Sequence, residues 1–144
     1  MRLRKATIDD CELLFDWANN PQVRANAINT EPIEWDGHCK WFQNKLQSSD
    51  KILILEDSIP VGQIRLDVVN SEYLIDYSVQ SNQRGKGYGK KLLEMVIQSH
   101  RDYPLKGEVR KDNIGSQKAF ESSGFTKTGT REIKGNSYII YEYR

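Results

Sequence analysis

The spacing of apolar residues changes several times along the chain, and each change predicts an element. Residues 2–6 alternate weakly and read as a first strand. Ile8, Cys11, Leu14, Phe15 and Ala18 then recur at the three- and four-residue spacing of a helix that buries one face. Thr7 as N-cap and Asp10 at N3 form a capping box at its start. Asn19-Asn20-Pro21 ends it, and Asn20 and Pro21 can cap and open a short second turn of helix through Val23. After a loop over 26–32, Ile33 to Gln47 returns to helical spacing. Trp35, Cys39, Phe42 and Leu46 form its stripe, with His38 and Trp41 beside it. Gly37 inside that helix costs about 1 kcal/mol relative to alanine and marks a kink or a close approach.

From residue 52 the pattern becomes strand-like. Ile52 to Leu55 and Val61 to Val69 read as a hairpin turning at 56–58, and Tyr73 to Val79 follows a turn at Asn70-Ser71. A glycine-rich turn leads into a helix with Tyr88, Leu92, Leu93, Val96 and Ile97 on one side. Leu105 to Val109 is the next strand. The right-handed crossover rule places it parallel to 73–79 in one sheet. A last helix over 114–123 has Asn113 as N-cap and Gly124 just past its end. A closing hairpin starts at Phe125, turns near Lys134-Gly135-Asn136 and ends in Ser137 to Tyr143. The order is β, two helices, an antiparallel meander, then β-α-β-α and a hairpin, which is mixed α/β.

The length of 144 residues and the lack of any linker or repeat predict a single domain over 1–144. With 21 Lys plus Arg against 20 Asp plus Glu, the net charge is +1, and no basic stripe points to nucleic acid. The N-terminal residues lack an apolar signal core and no run is long enough to span a bilayer, so a cytoplasmic protein with no membrane partner is expected. Cys11 and Cys39 lack metal spacing and are expected as free thiols; no metal site is expected.

The candidate chemistry centres on Gln83-Arg84-Gly85-Lys86-Gly87-Tyr88-Gly89-Lys90. A strand, a glycine-rich turn and a helix make a phosphate cradle. Without side chains, backbone N–H groups approach anionic oxygens closely, and the helix N-terminus adds its positive end. Arg84, Lys86 and Lys90 bring full charges. A P-loop is excluded, because its first glycine would fall on Arg84 and its Ser/Thr on Lys91. A dinucleotide fingerprint is excluded too, since its third glycine would fall on Lys90 or Leu92.

What fits is Arg84-x-x-Gly87-x-Gly89, followed by Asn113-x-x-Ser116-x-x-x-Phe120-x-x-x-Gly124-Phe125. The pair resembles the two signature elements of the GCN5-related N-acetyltransferases (GNAT), in the same order and across essentially the whole chain. The resemblance implies a mixed, mostly antiparallel central sheet with helices on both faces and a splayed parallel pair, strands 73–79 and 105–109. It implies acetyl-CoA as acetyl donor. Its diphosphate would rest on the amides of 84–90, its pantetheine would pair with the strand edge near Val79, and Asn113, Ser116 and Phe120 would line the same gap. One departure stands out. Many members carry tyrosine where this chain has Phe120, and that tyrosine protonates the leaving thiolate. Tyr77, Ser78, Tyr138 and Tyr141 are the hydroxyls that could serve instead. A backbone N–H near Val79 is placed to polarise the thioester carbonyl.

The acceptor amine must lose a proton before it attacks. Asp76, His38, Glu72 and Asp67 are the candidate bases, with Asp76 expected as a buried carboxylate of raised pKa and His38 titrating in the useful range. All three tryptophans lie in the first third. Phe15 to Arg24, Ile33 to Trp35 and His38 to Phe42 resemble a branch that includes the UDP-4-amino-sugar N-acetyltransferase of pseudaminic acid biosynthesis. That resemblance implies stacking on Trp17, Trp35 or Trp41, near Tyr77, with Arg24, Lys40 or Arg65 meeting a diphosphate. Three readings stay open at this point: a nucleotide-sugar N-acetyltransferase, a ribosomal-protein or peptide N-terminal acetyltransferase, and a non-catalytic acyl-CoA-binding module. Strand edges near the C-terminus would permit a homodimer.

Overall fold

The computed structural model describes residues 1–144. Its frame is one seven-stranded sheet in the order β1-β2-β3-β4-β5-β7-β6. The strands are β1 (Arg2–Lys5), β2 (Lys51–Asp57), β3 (Ile59–Val69), β4 (Glu72–Val79), β5 (Leu105–Arg110), β6 (Thr126–Ile133) and β7 (Asn136–Tyr143). All neighbours run antiparallel except β4 and β5, as the crossover rule requires.

The run Ile52 to Leu55 shows why the sheet is covered on both faces. Its residues alternate between two cores, so an unbroken apolar run is what a strand buried on both sides needs. Leu53 and Leu55 join the larger core, with Ile64, Leu66, Tyr73 and Ile75 of the sheet, Leu92, Leu93 and Val96 of α4 (Tyr88–Ser99) and Phe120 of α5 (Ile114–Ser122). Ile52 and Ile54 join the smaller core, with Leu14 of α1 (Cys11–Ala18) and Phe42 of α3 (Trp35–Leu46). Helices α1 and α3 therefore cover one face, and α4 and α5 the other.

The N-terminal elements depart from the sequence reading in instructive ways. Residues 8–10 form a single 3-10 turn before α1, which leaves Ile8 55 % exposed rather than on the buried stripe. The Asp10 carboxylate accepts from the Thr7 N–H at 2.7 Å and from both terminal nitrogens of Arg4 at 2.8 and 2.9 Å, tying β1 to this turn. The second helix, α2 (Pro21–Asn26), runs one turn past Val23, with the Asn20 side chain accepting from the Gln22 N–H at 3.0 Å. Helix α3 starts at Trp35, because the Ile33 backbone is clamped by the Asn19 amide, 2.7 Å to its N–H and 2.9 Å to its carbonyl. Its buried side chains are His38 and Phe42, while Trp35 and Leu46 are largely exposed. In the hairpin, β2 extends to Asp57 past a bulge at Leu55/Glu56, and Ser58 makes the reversal at positive φ.

Candidate active site

Strands β4 and β5 pair over Tyr73–Leu105, Leu74–Lys106 and Ile75–Gly107 and then part. Strand β3 follows β4 all the way to Val79, and β7 follows β5 to Arg110, so each strand keeps its outer partner while the gap opens between them. The inner edge of residues 76–79 is left without a strand partner. Phe120 closes the base of the gap. The tip of its ring presses so close on Gly107 that a Cβ there would sit 2.4 Å from it, and its face stacks on Tyr141 at 5.3 Å. It is a core residue, as its lack of a polar atom requires.

The glycine turn stands at the open end. Gly85 and Gly87 take φ of +80° and +82°, the left-handed region that favours glycine, and a Cβ at either would meet nothing within 4 Å. The cradle is thus lined by bare backbone and opens on the N-terminus of α4, a helix of 12 residues. Gly89 serves contact instead, since the Tyr77 ring packs 3.2 Å from where its Cβ would be. Arg84 donates through Nε to the Val79 carbonyl at 3.3 Å and pairs with the Gln22 side chain, bridging the turn to β4 and α2. Lys90 lines the cleft. Lys86 instead donates to Gln83 at 3.0 Å, and the Tyr88 hydroxyl turns to Asp57 at 2.6 Å. This bare cradle, at a helix N-terminus beside an unpaired strand edge, fits the diphosphate and pantetheine of a CoA thioester. Asn113 accepts from the Ser116 N–H at 3.2 Å as the α5 cap, and the Tyr77 hydroxyl donates to Ser116 Oγ at 3.0 Å. Burial pushes the Tyr77 phenol up, against a smaller opposing effect of Ser116, so it stays a neutral donor.

The gap and its flanks form a cleft of about 1360 Å³, lined by Val79, Arg84, Gly85, Gly87, Tyr88, Gly89 and Asn113 among others. On the face opposite α4 and α5 it meets a smaller pocket of about 340 Å³ between α1, α3 and the sheet. Val23, Arg24, Arg65, Asp76 and Ser78 line both. Registers explain this grouping: Arg65 faces Asp76, and Gln63 faces Ser78, on neighbouring strands.

Several expected site residues behave otherwise than the sequence suggested. Asp76 is not a buried carboxylate. Its side chain is 62 % exposed and pairs with Arg65 at 3.2 Å, because β5 has left β4 by this point and covers nothing there. His38 is 3 % exposed, with Nε2 on the Cys11 carbonyl at 2.9 Å and the rings of Phe15, Trp35, Trp41 and Phe42 around it, a structural setting beside the small pocket. Arg24 spends its donors on the carbonyls of Ala18, Asn29 and Glu31, stapling the 27–31 segment. Arg65 is held between Asp67 and Asp76 with its guanidinium over Trp41 at 5.3 Å. Trp17 and Trp41 line the small pocket, whereas Trp35 is 44 % exposed and lines neither cavity. Of the other candidate bases, Asp67 pairs with Lys45 and Arg65, and Glu72 is half-buried, neither lining the small pocket. Tyr138 lines the cleft from β7, 3 % exposed, its hydroxyl buried without a hydrogen-bond partner. Tyr141 is excluded from the gap, since its hydroxyl donates to Glu121 at 2.6 Å. Glu108, held by Arg131 at 2.8 Å, also lines the cleft. Sequence reading passed over it because its signal is one polar residue in a short strand. The thiols of Cys11 and Cys39 are free, 3.9 Å apart, and burial raises that of Cys11.

A sheet split at its one parallel pair, with a glycine cradle at the split, defines an acyl-transfer architecture. Residues 1–126 match the family described as acetyltransferase (GNAT) domain, and the chain belongs to that family. Among curated proteins it is 29 % identical over 138 residues to the uncharacterized Methanocaldococcus jannaschii protein MJ1062, covering 88 % of this chain but only 28 % of that protein. It is 24 % identical over 149 residues to the L-amino acid N-acyltransferase MnaT of Escherichia coli K12, covering 96 % and 87 %. Among solved structures it superposes with TM-score 0.84 on yncA of Salmonella typhimurium with its cofactor acetyl-CoA, at 19 % identity over 100 % and 93 % of the two chains. The ribosomal-protein-alanine N-acetyltransferase of Brucella melitensis also gives 0.84, at 20 % identity over 99 % of each chain. The match to MJ1062 spans less than a third of that protein's length.

Proposed function

We propose that this chain is an acetyl-CoA-dependent N-acetyltransferase that acetylates a primary amine by direct attack in a ternary complex. The observation that carries the reading is a glycine cradle and an unpaired strand edge on one side of a gap whose other face opens into a separate pocket. Bound acetyl-CoA supplies an acyl thioester and a thiol leaving group. The amine nitrogen forms the C–N bond as the C–S bond breaks; the electron pair leaves on sulfur, and the amine gives up a proton. The chain's residues serve these events in turn. The amides of 85–89 hold the diphosphate. The edge of 76–79 takes an added strand and offers an N–H near Val79 to the developing oxyanion. Asp76, at the pocket mouth, draws in the ammonium, which loses one proton to solvent before attack; the second, released as the C–N bond forms, passes to Asp76 directly or through water and balances the proton given to sulfur. The Tyr77–Ser116 pair, on the cradle side, is a neutral donor for the departing sulfur, whose low basicity asks little of it.

The acceptor suggested by the N-terminal third, a UDP-4-amino sugar, has one observation in its favour: Trp17 and Trp41 line a pocket on the cleft. Its diphosphate finds Arg65 already paired with two carboxylates, however. A peptide or amino-acid amine makes no such demand, and the names of the Brucella and Escherichia relatives are of that kind.

The test is release of CoA thiol from acetyl-CoA across a panel of UDP-4-amino sugars, N-terminal peptides and small amines. Amine-dependent release is expected. A melting temperature raised by acetyl-CoA without thiol release from any amine would show an acyl-CoA-binding module instead.

A further inference from the structure

Gly37 is the least favoured residue but proline for the interior of a helix, yet it sits in the first turns of α3 for no reason that packing or backbone supplies. Its φ is not positive, and a Cβ built there meets nothing within 4 Å. No atom outside its own helix backbone comes near that Cβ position, so a close contact does not account for it. What it does face is the 340 Å³ pocket, whose wall it forms with Leu14, Trp17, Ile33, Trp41 and Ile52. A bulkier residue at 37 would therefore border that space.

The polar groups around the pocket are already matched to one another. Gln63 donates to Ser78 Oγ at 3.1 Å, Arg65 lies between two carboxylates, Arg24 is on three carbonyls, and His38 is on the Cys11 carbonyl. An occupant is therefore offered indole faces and aliphatic walls, and the one cation without a carboxylate partner, Arg24, stands where the pocket meets the cleft. The volume stands at the low end of the roughly 300–1,000 Å³ of ligand pockets. The one carboxylate at the mouth, Asp76, faces the cleft.

Resting on the acetyltransferase reading above, we infer that the small pocket is a side-group slot kept open by Gly37, and that the acceptor is a primary amine carrying an apolar aliphatic or aromatic group a few bonds from its nitrogen. The amine stands at the Asp76–Ser78 mouth, beside the gap, while the apolar group lies between Trp17 and Trp41. Position 37 then sets how large that group can be.

L-Leucinamide, phenethylamine and glycinamide serve as probes with acetyl-CoA. The wild type is expected to turn over leucinamide and phenethylamine with kcat/KM at least tenfold above glycinamide, and leucinamide alone is expected to raise the melting temperature. Gly37→Leu should lower the leucinamide-to-glycinamide ratio at least tenfold and abolish the leucinamide melting shift. Gly37→Ala should leave the free protein folded, since its Cβ meets nothing within 4 Å, and still lower the ratio severalfold; if the leucine variant does not fold, this variant decides. An unchanged ratio in a folded Gly37→Ala, no wild-type preference, or faster turnover of a UDP-4-amino sugar than of leucinamide overturns the slot while leaving the acetyltransferase standing. No thiol release from any amine overturns the acetyltransferase reading itself.

Discussion

Single residues decide the chemistry of this cleft through what they are bonded to. Asp76 was legible as a candidate base, because a carboxylate stands out on an apolar strand. Its exposure was not, because alternation along β4 says nothing about where β5 leaves it. Arg24 and Arg65 show the same limit: sequence reveals a cation but not whether backbone carbonyls or carboxylates have claimed it. Asp76→Asn should lower kcat by about 10²-fold, within the usual range for a proton-transfer group, while the melting shift given by acetyl-CoA persists; steady-state kinetics beside a thermal melt checks both halves. Asp10 acts on stability. The Arg4 guanidinium holds its carboxyl below the usual carboxylate range, burial opposes this, and the Thr7 N–H assists. A lowered folded pKa gives stability that is full above the unfolded value of about 3.9 and is lost as the pH falls below it through the folded value. Asp10→Asn should therefore cost about 1.5–3 kcal/mol at pH 7, the range for a charged hydrogen bond. The difference from wild type should shrink at pH 3, as urea midpoints at the two pH values would show.

Among the elements, those with strong local signals matched: the strand, glycine turn and helix of residues 72–99, the Asn113 cap and the closing hairpin. The helix stripe of α3 did not, because residues 35 and 46 satisfy the spacing but lie at the margin of the helix layer, where Trp35 meets only the edge of α1 through Phe15 and both stay partly exposed. The small pocket could not be seen at all, since it is made by α1, α3 and three strands meeting, and Gly37 advertised it only as an unexplained cost. The glycine turn carries its own prediction. Gly87→Ala forces an L side chain into the left-handed region at a cost of roughly 1–2 kcal/mol, with no clash to add. A modest drop in melting temperature is expected. Acetyl-CoA affinity should fall about tenfold, or ~1.4 kcal/mol, by calorimetric titration.

At the scale of the whole molecule, the composition and length pointed to one mixed domain, and a single sheet carries every strand. No helix is long and apolar enough to cross a membrane. Ligand binding should show as bulk stability: acetyl-CoA at 100 times its Kd adds about 2.7 kcal/mol, or roughly 5–11 °C in melting temperature for a chain of this size, and a flat melt across such a titration would contradict the cradle.

The same seam has a mechanical side. Three residue pairs are all that stitch β4 to β5, so the sheet is two plates sharing a short hinge, one plate carrying β1–β4 and the other β5–β7. A guest lying along residues 76–79 would add stitches where the plates come apart. Deuterium uptake by the gap-facing amides of Tyr77 and Val79 should slow more on adding acetyl-CoA than anywhere in β1 or β2, and the stiffening should reach β5 across a gap that protein alone leaves open.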